Sequence, residues 1–402
     1  MNSKNEYSVG PKNKALYLTF NVGFMDPTRE LLLKVLRSSF DLDVYGPGFS
    51  DLNVLNKGVE EYIDRNGPYD FVITDEYVLQ SFNMDDIASN RFVNHACRFD
   101  RGLLFEAVKW REFLSSYRGT RVIALMQSDY YNFTDIHVER LHALGDYFIT
   151  WGEEFISSKS ELEPERLPTW GVDSDIYSKW NDTYLSFLKQ NKETIISCPQ
   201  FVDEEEGSNI RIYNRPRDWA CLGADYNSRV VARQVLDAEG FKRPGKWMPV
   251  AFALARKVRF NMYNKYWTLS AIQAGFRRAL RSARYTYTCG SVLKWPIRKF
   301  FEVPVNGSVL VCAKPTGFDS LGFEDRINAV VSEPRDLIEI HQWLSADIDK
   351  AQHIADAGRE LVLTKHSVGA RSKQIEQAFC LIRQKKFFGS IWANGEFCLK
   401  SK

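Results

Sequence analysis

The segment IRKFFEVPVNGSVLVCAKPTGFDSLGFEDRINAVV, residues Ile297–Val331, decides how the second half of the chain folds. Basic residues lead into an apolar stretch that ends at Gly307, and the apolar, β-branched run that follows is typical of a buried strand. A loop with Gly317 and Gly322 comes next. The apolar stretch begins with one carboxylate, Glu302, and an unpaired buried charge is costly. The position of this carboxylate therefore needs a functional explanation.

Short apolar runs alternate with amphipathic ones on both sides of this segment. ALYLTFNV (Ala15–Val22) is typical of a strand, and PTRELLLKVLRSSF (Pro27–Phe40) predicts a helix that begins at its proline. RDWACLGADYNSRVVARQVL (Arg217–Leu236) predicts a strand, a glycine turn and a helix. Strands that alternate with helices indicate parallel sheets covered on both faces. The sequence therefore predicts an α/β protein.

The chain has 402 residues, which is too long for one ordinary core and suits two doubly wound, Rossmann-like domains. We predict an N-terminal domain over residues 1–165, a hinge over 166–190 and a C-terminal domain over 191–375. A C-terminal helix within 376–402 could pack back on the first domain. Ligands of such sheets bind at the carboxyl ends of the strands, so we expect them in a cleft between the domains.

The composition excludes several classes of protein. Lys and Arg number 53 against 51 Asp and Glu, and this balance predicts no nucleic-acid partner. Seven scattered cysteines without a Cys-x-x-Cys pair favour a reduced, cytoplasmic protein without a zinc site. No apolar run reaches the roughly 18 residues of a membrane span. Basic aromatic stretches such as FRRALRSARY (Phe276–Tyr285) leave peripheral contact with the inner membrane face open.

Three segments carry a resemblance to a known family: RKFFEVPVNGSVLV, GFEDRINAVV and AGRELVLTKHSVGAR. They resemble the C-terminal domain of GT-B glycosyltransferases, in particular the retaining group that includes group 1 transferases and spore-maturation (CgeB-type) proteins. The resemblance covers about residues 280–380. It implies a GT-B fold with a donor-binding C-terminal domain and an acceptor-side N-terminal domain.

The resemblance also implies an activity of the hexosyltransferase type. The donor would be a nucleotide-diphosphate-sugar such as a UDP- or GDP-sugar. The acceptor would be a hydroxyl of a surface glycan, a lipid-linked saccharide or a protein. The reaction would be retaining and metal-independent, without a cofactor.

The same resemblance assigns roles to individual residues of the second domain. It implies that Glu302 accepts hydrogen bonds from the ribose hydroxyls, since a carboxylate suits a vicinal diol. Basic side chains would compensate the diphosphate, and the candidates are Arg298, Arg229 and Lys299. Arg298 would also stabilise the leaving group. The further candidates are the backbone amides of Gly290 and Ser291, and Gly317 for close approach of the backbone.

One candidate lies in the first domain. Asp129 follows the apolar run VIALM (Val122–Met126) and would face the cleft, where it could orient or deprotonate the acceptor hydroxyl. A helix cap at Asp129 or Ser128 explains the same residues equally well. The triplets Asp41-Leu-Asp43 and Asp173-Ser-Asp175 do not follow strands, so no metal site is predicted.

The chain departs from many relatives at one position. They carry a Glu-x7-Glu motif whose first Glu touches the donor sugar, and Lys294 occupies that place here. Two alternatives therefore stay open: a nucleotide-sugar 2-epimerase on the same fold, and a non-catalytic coat or assembly protein.

Overall fold

The computed structural model describes residues 12–22, 27–80, 98–126, 133–157, 174–245, 266–291 and 293–401, together with 251, 254, 255, 257 and 258. The fold below refers to these parts of the chain. They form two parallel sheets and one C-terminal hairpin.

The first sheet has six parallel strands in the order β2-β1-β3-β4-β5-β6. The strands are β1 (Lys14–Leu18), β2 (Asp41–Tyr45), β3 (Phe71–Asp75), β4 (Thr120–Ala124), β5 (Tyr147–Thr150) and β6 (Ile195–Ser197). The helices between them are α1 (Pro27–Ser39), α2 (Leu52–Lys57), α3 (Val59–Asn66), α4 (Glu106–Ser116), α5 (Asp135–Leu144) and α6 (Ser174–Gln190). Helix α1 begins at Pro27, as predicted.

The second sheet has four parallel strands in the order β10-β9-β8-β7. They are β7 (Arg217–Ala220), β8 (Ala283–Thr288), β9 (Val309–Cys312) and β10 (Val330–Val331). The accompanying helices are α7 (Asn227–Ala238), α8 (Tyr266–Ser282), α9 (Lys299–Val305), α10 (Leu337–Ala346), α11 (Ile348–Lys365) and α12 (Val368–Arg383). The central strands β8 and β9 of this sheet are largely buried, as expected when helices cover both faces. The predicted α/β architecture with two parallel sheets is confirmed.

The C-terminal residues fold differently from the prediction. Helix α12 ends at Arg383, and an antiparallel hairpin follows, formed by β11 (Phe387–Ala393) and β12 (Glu396–Ser401). Asn394 and Gly395 at its turn have φ of 50° and 77°, the conformation that favours Asn-Gly in two-residue hairpins. The prediction of a helix over the last residues was therefore wrong, and the Asn-Gly pair was the signal against it.

Helix α12 packs on the first sheet. The ring of Phe379 lies 4.8 Å from the rings of both Phe40 and Phe71, and Ser39 Oγ donates to Ser372 O at 3.0 Å. Strand β6 also belongs to this sheet, although it follows the predicted domain boundary at residue 191. The chain therefore completes its first sheet after the long helix α6, and it returns to that sheet with α12.

Candidate functional site

Two cationic side chains converge over a glycine turn at the carboxyl edge of the second sheet. Gly223 follows β7 and has a φ of +103°, which a glycine adopts without strain. A Cβ atom placed on Gly223 would lie 2.7 Å from Lys299 Cε, 3.0 Å from Lys299 Nζ and 2.8 Å from Arg229 Nη1. The missing side chain thus leaves room for both cations beside the turn.

Arg229 is a buried cation with neutral partners. Its side chain projects from the first turn of α7, and the residue is 1% exposed. Nη1 donates to Ala224 O at 3.2 Å, and Nη2 donates to Thr288 Oγ1 at 3.3 Å and Cys289 O at 3.4 Å. The buried Nε has no hydrogen-bond partner within the described ranges. Its positive charge is therefore held in place without a carboxylate against it.

Lys299 begins helix α9 and is partly buried. Its Nζ lies 5.3 Å from the centre of the Phe276 ring. Burial, followed by the neighbouring charge of Arg229, lowers the pKa of Lys299 to about 8. A lowered lysine pKa means that the protonated form is under-compensated at this place. Together Lys299 and Arg229 form a site prepared for an anion.

Arg298, the residue before Lys299, has a different environment. Its Nη2 lies 2.7 Å from both carboxylate oxygens of Glu206, and its Nε lies 3.4 Å from Glu302 Oε1. Two carboxylates therefore offset the charge of Arg298. Its contact with a phosphate stays a prediction, while Glu206 and Glu302 already offset its positive charge.

Glu206 is a residue that the sequence did not indicate. It lies in the acidic run Asp203–Gly207, which has the composition of a solvated loop. The structure gives its side chain 19% exposure, and burial raises the pKa of the carboxyl against the opposing effect of Arg298. An acidic run is usually solvated, but here Arg298, 92 residues further along the chain, pairs with Glu206 and keeps it mostly buried.

Glu302 lies one helical turn after Lys299 on α9, and its side chain is 15% exposed. The contact with Arg298 Nε fixes one carboxylate oxygen, Oε1. The structure thus brings three of the predicted residues, Glu302, Lys299 and Arg229, to the carboxyl edge of the second sheet. The predicted ribose contact of Glu302 remains a prediction.

Gly290 and Ser291 form the exit of β8. A Cβ atom on Gly290 would lie 2.7 Å from the carbonyl carbon of Lys294 and 2.8 Å from Trp295 O, so the turn closes tightly on itself. Ser291 has a φ of +65° and is buried. The position at the sheet edge agrees with the predicted site, while the contact of their amides with a ligand is untested.

Gly317 contacts the segment that follows β5 of the first sheet. Its φ is +76°, and a Cβ atom there would lie 2.3 Å from Phe155 Cδ1 and 2.8 Å from Glu154 O. The neighbouring Thr316 Oγ1 hydrogen-bonds Ser157 Oγ. Close packing between the two sheets therefore explains this glycine. The predicted approach to a sugar is not tested.

Asp129 lies outside the described residues. At the carboxyl edge of the first sheet, the structure instead shows a buried cluster that the sequence did not indicate. Thr19 Oγ1 donates to Asp75 Oδ2 at 2.6 Å, Arg29 Nη1 lies 2.9 Å from the same oxygen, and Arg29 Nη2 lies 2.8 Å from Glu76 Oε1. This cluster joins the ends of β1 and β3 to the first turn of α1.

Comparison with known proteins gives a family match for the second half of the chain. Residues 249–377 match the family model described as glycosyl transferase-like. No curated protein is significantly similar in sequence to the chain.

Two solved structures share the fold over nearly the whole chain. Anabaena HepE in complex with UDP and glucose is 11% identical, covers 92% of this chain and 99% of its own, and superposes with a TM-score of 0.50. Sucrose-phosphate synthase from Thermosynechococcus elongatus is 10% identical, covers 93% of this chain and 100% of its own, and has a TM-score of 0.51. The predicted GT-B arrangement of two Rossmann-like domains is confirmed.

The family match and the fold agree with each other. The enzyme class is that of a glycosyltransferase. The glycosyl transferase-like match includes the segment that contains Lys299 and Glu302. The resemblance to the narrower spore-maturation group is not confirmed.

The described residues show neither a candidate metal site nor a candidate membrane-spanning helix. They contain no group of three or more His, Cys, Asp or Glu side chains arranged to hold a metal ion. No helix among them combines the length and the apolar character needed to cross a membrane.

Proposed function

We propose that this glycosyltransferase moves a hexose from a UDP-sugar to an acceptor hydroxyl, with Arg229 and Lys299 binding the donor diphosphate. The single observation that carries the proposal is the convergence of these two cations over Gly223 without a carboxylate partner in the described structure. A diphosphate bears about two negative charges at neutral pH and would offset both cations. Arg229 supplies a fixed fork of donors, and Lys299 supplies a point charge.

The identity of the nucleotide rests on geometry and on a likeness. Glu302 is one helical turn from Lys299, so a diphosphate at Lys299 would leave the ribose hydroxyls within reach of a carboxylate on the same helix. HepE, which shares the fold, binds UDP. This likeness supports UDP rather than GDP as the first nucleotide to test.

The proposed mechanism is retaining and uses no metal ion. The bond between the sugar and the diphosphate breaks as negative charge develops on the leaving phosphate oxygen. Arg229 and Lys299, already oriented and partly removed from water, would stabilise that charge. In this mechanism the two side-chain cations supply the compensation for which other transferases use a divalent ion.

On the acceptor side, we propose that Asp129 orients the acceptor hydroxyl or takes its proton. The acceptor is a saccharide, a lipid-linked saccharide or a protein. We also propose that the protein is a member of the spore-maturation group and that it is cytoplasmic. The free, mostly buried thiols in the described part of the chain are in keeping with a reducing compartment.

The proposal is tested by thermal shift and calorimetry with UDP, GDP, ADP and CMP, each with Mg²⁺ and with EDTA. We expect UDP to raise the melting temperature equally in both conditions, since ligands of the native state stabilise it. R229Q should remove that shift, and R37Q, at an exposed arginine of α1, should keep it. A UDP shift that needs Mg²⁺ contradicts the metal-independent mechanism. Unchanged UDP affinity in R229Q contradicts the assigned site.

Turnover is measured separately with radiolabelled UDP-glucose and UDP-galactose. Transfer of label to a saccharide, lipid-linked or protein fraction supports the transferase activity and identifies the acceptor class. Conversion of the sugar to an epimer without an acceptor would favour an epimerase instead. Binding of UDP without any turnover would favour a non-catalytic protein.

A further inference from the structure

A second cationic site lies away from the glycosyltransferase cleft. It is a groove of about 520 Å³ between the segment of residues 210–216 and the last turns of α8. Helix α8 ends at Ser282, where β8 begins, and β7 begins at Arg217, so the groove is at the edge where these strands start. Strand β8 has six residues, so its two ends are roughly 20 Å apart. The residues that line the groove do not include Arg229 or Lys299, although Lys299 Nζ lies 5.3 Å from the ring of Phe276, the residue before Arg277.

Three arginines of α8 line the groove: Arg277, Arg278 and Arg281. Arg281 donates to neutral acceptors, Asn306 Oδ1 at 3.0 Å and Glu206 O at 2.9 Å. Arg277 and Arg278 make no hydrogen bond or ion pair with the residues that the structure describes. Helix α8 itself contains no acidic residue. Among the described residues no carboxylate lines the groove, although Arg277 interacts electrostatically with the carboxylate of Glu206 outside the lining.

A fourth arginine lies beneath this surface. Arg215 is 2% exposed and donates only to backbone carbonyls, those of Ile210, Leu280, Ala283 and Asn306. Burial, and then the charge of Arg281, lower the pKa of Arg215 to about 10. The nearby carboxylate of Glu206 is bound by Arg298 through both oxygens. The positive charge below the groove is thus not neutralised from within the described structure.

Apolar side chains stand beside the arginines. Ile210 lines the groove and is 43% exposed, and Tyr213, in the same segment but outside the lining, is 53% exposed. Pro216 and Ala274 also line the groove. Binding of a soluble phosphate ion would require the arginines but not these apolar side chains. An interfacial surface needs both, since apolar and aromatic residues enter the boundary of a bilayer while arginines contact the phosphates.

We propose that this groove binds the phosphate group of anionic membrane lipids and so places the enzyme on a membrane surface. Arg277, Arg278 and Arg281 would bind lipid phosphates, and Ile210 and Tyr213 would contact the interfacial region. The residues that line the groove are not those of the proposed donor site, so the proposal does not depend on the identity of the donor.

The test is co-sedimentation of the full chain with vesicles of phosphatidylglycerol and phosphatidylcholine, against vesicles of phosphatidylcholine alone. We expect sedimentation only with the anionic vesicles. R277Q/R278Q should lower the partition coefficient roughly 10- to 30-fold, since each basic residue near an anionic surface contributes about 1 kcal/mol. The matched variant R37Q/R118Q removes the same charge from exposed positions of the first domain and should stay within about twofold of the wild type.

Two further measurements separate the remaining outcomes. I210S/Y213S keeps the charge and should also weaken vesicle binding, which a purely ionic contact would not show. Inorganic pyrophosphate is titrated by calorimetry into wild type and R277Q/R278Q. Pyrophosphate binding at the arginines without vesicle binding would overturn the lipid proposal. Equal losses of vesicle binding in both arginine double variants would overturn it too, because the site would then be unspecific. The free energy of unfolding in urea serves as the folding control and should be unchanged.

Discussion

Arg298 and Lys299 are neighbours in the sequence, but their electrostatic environments are opposite. Arg298 meets two carboxylates, Glu206 at 2.7 Å and Glu302 at 3.4 Å. Lys299 meets the cation Arg229 over Gly223, and its pKa falls to about 8. Arg298 is paired with carboxylates, and such pairs contribute to stability. Lys299 and Arg229 have no ion-pair partner in the described structure, so we expect a bound anion to neutralise their charge. We expect this contrast to separate a structural ion pair from a binding site within one turn of helix.

The largest expected effect comes from Arg229. R229Q should weaken UDP binding by roughly 30- to 150-fold, because a hydrogen bond to a charged group contributes about 2–3 kcal/mol. Its stability should fall by only about 1 kcal/mol, because no carboxylate among the described residues is left unpaired but buried acceptors such as Cys289 O lose a donor. Isothermal calorimetry measures the affinity, and urea unfolding measures the stability. A large loss of stability with unchanged affinity would reverse the roles of the two regions.

For Arg298 we expect a larger effect on stability than on UDP affinity. R298Q leaves the mostly buried Glu206 without its main partner and should lower the free energy of unfolding by about 2 kcal/mol. The double variant E206Q/R298Q should recover most of this loss, as a double-mutant cycle in urea would measure. Additive losses in the cycle would mean that the pair contributes no coupling. Measured in parallel, UDP affinity should change less in R298Q than in R229Q.

Lys299 should make the affinity for UDP depend on pH. The pKa of the unbound lysine is about 8, and a bound diphosphate raises it. Below pH 8 the lysine already carries its proton, so UDP affinity should be constant. Above pH 8 binding must take up a proton, and affinity should fall up to tenfold per pH unit.

The matched control for Lys299 removes the titrating group. K299M should bind UDP more weakly at pH 7 and show no such decline between pH 8 and 9.5. Calorimetry in two buffers with different ionisation enthalpies also reports the proton uptake directly. A wild-type profile that is flat over this range would show that Lys299 does not face the diphosphate.

The smallest effect is expected at Glu302. E302Q keeps the shape of the side chain but weakens its acceptance of hydrogen bonds from the ribose, so UDP affinity should fall about 5- to 10-fold. The control is E206Q, which alters the other carboxylate around Arg298. Comparison of UDP with inorganic pyrophosphate isolates the ribose contact. An equal loss for both ligands would argue that Glu302 acts only through Arg298.

Much of the fold could be predicted from local patterns. Helix α1 begins at Pro27 as predicted, whereas the strand predicted over Ala15–Val22 is β1, which begins at Lys14 and ends at Leu18. The hairpin of β11 and β12 was missed because a helix was predicted in 376–402 without weight being given to the Asn394-Gly395 pair at the turn. The short strand β6 lies in the first sheet although it follows the predicted boundary at residue 191, since the sequence Ile195-Ile196-Ser197 carries no information about its neighbours in space.

The candidate site was predictable in part. Glu302, Lys299 and Arg229 follow from the resemblance of the second half to glycosyltransferases, and the structure brings them to one sheet edge. Glu206 could not be predicted, because an acidic run is usually solvated and nothing local reveals a partner 92 residues away. The groove at Arg277 was likewise indicated only as a basic stretch, without its apolar wall.

The sequence by itself determined the α/β alternation, the two parallel sheets and the identity of the residues that carry charge. These follow from periodicity and side-chain chemistry, which act over a few residues. Only the tertiary structure decided which charges are compensated. Burial and distance set the strength of an ionic interaction, and both depend on segments far apart in the chain. For that reason Arg298 and Lys299, adjacent and alike in the sequence, differ in the folded protein.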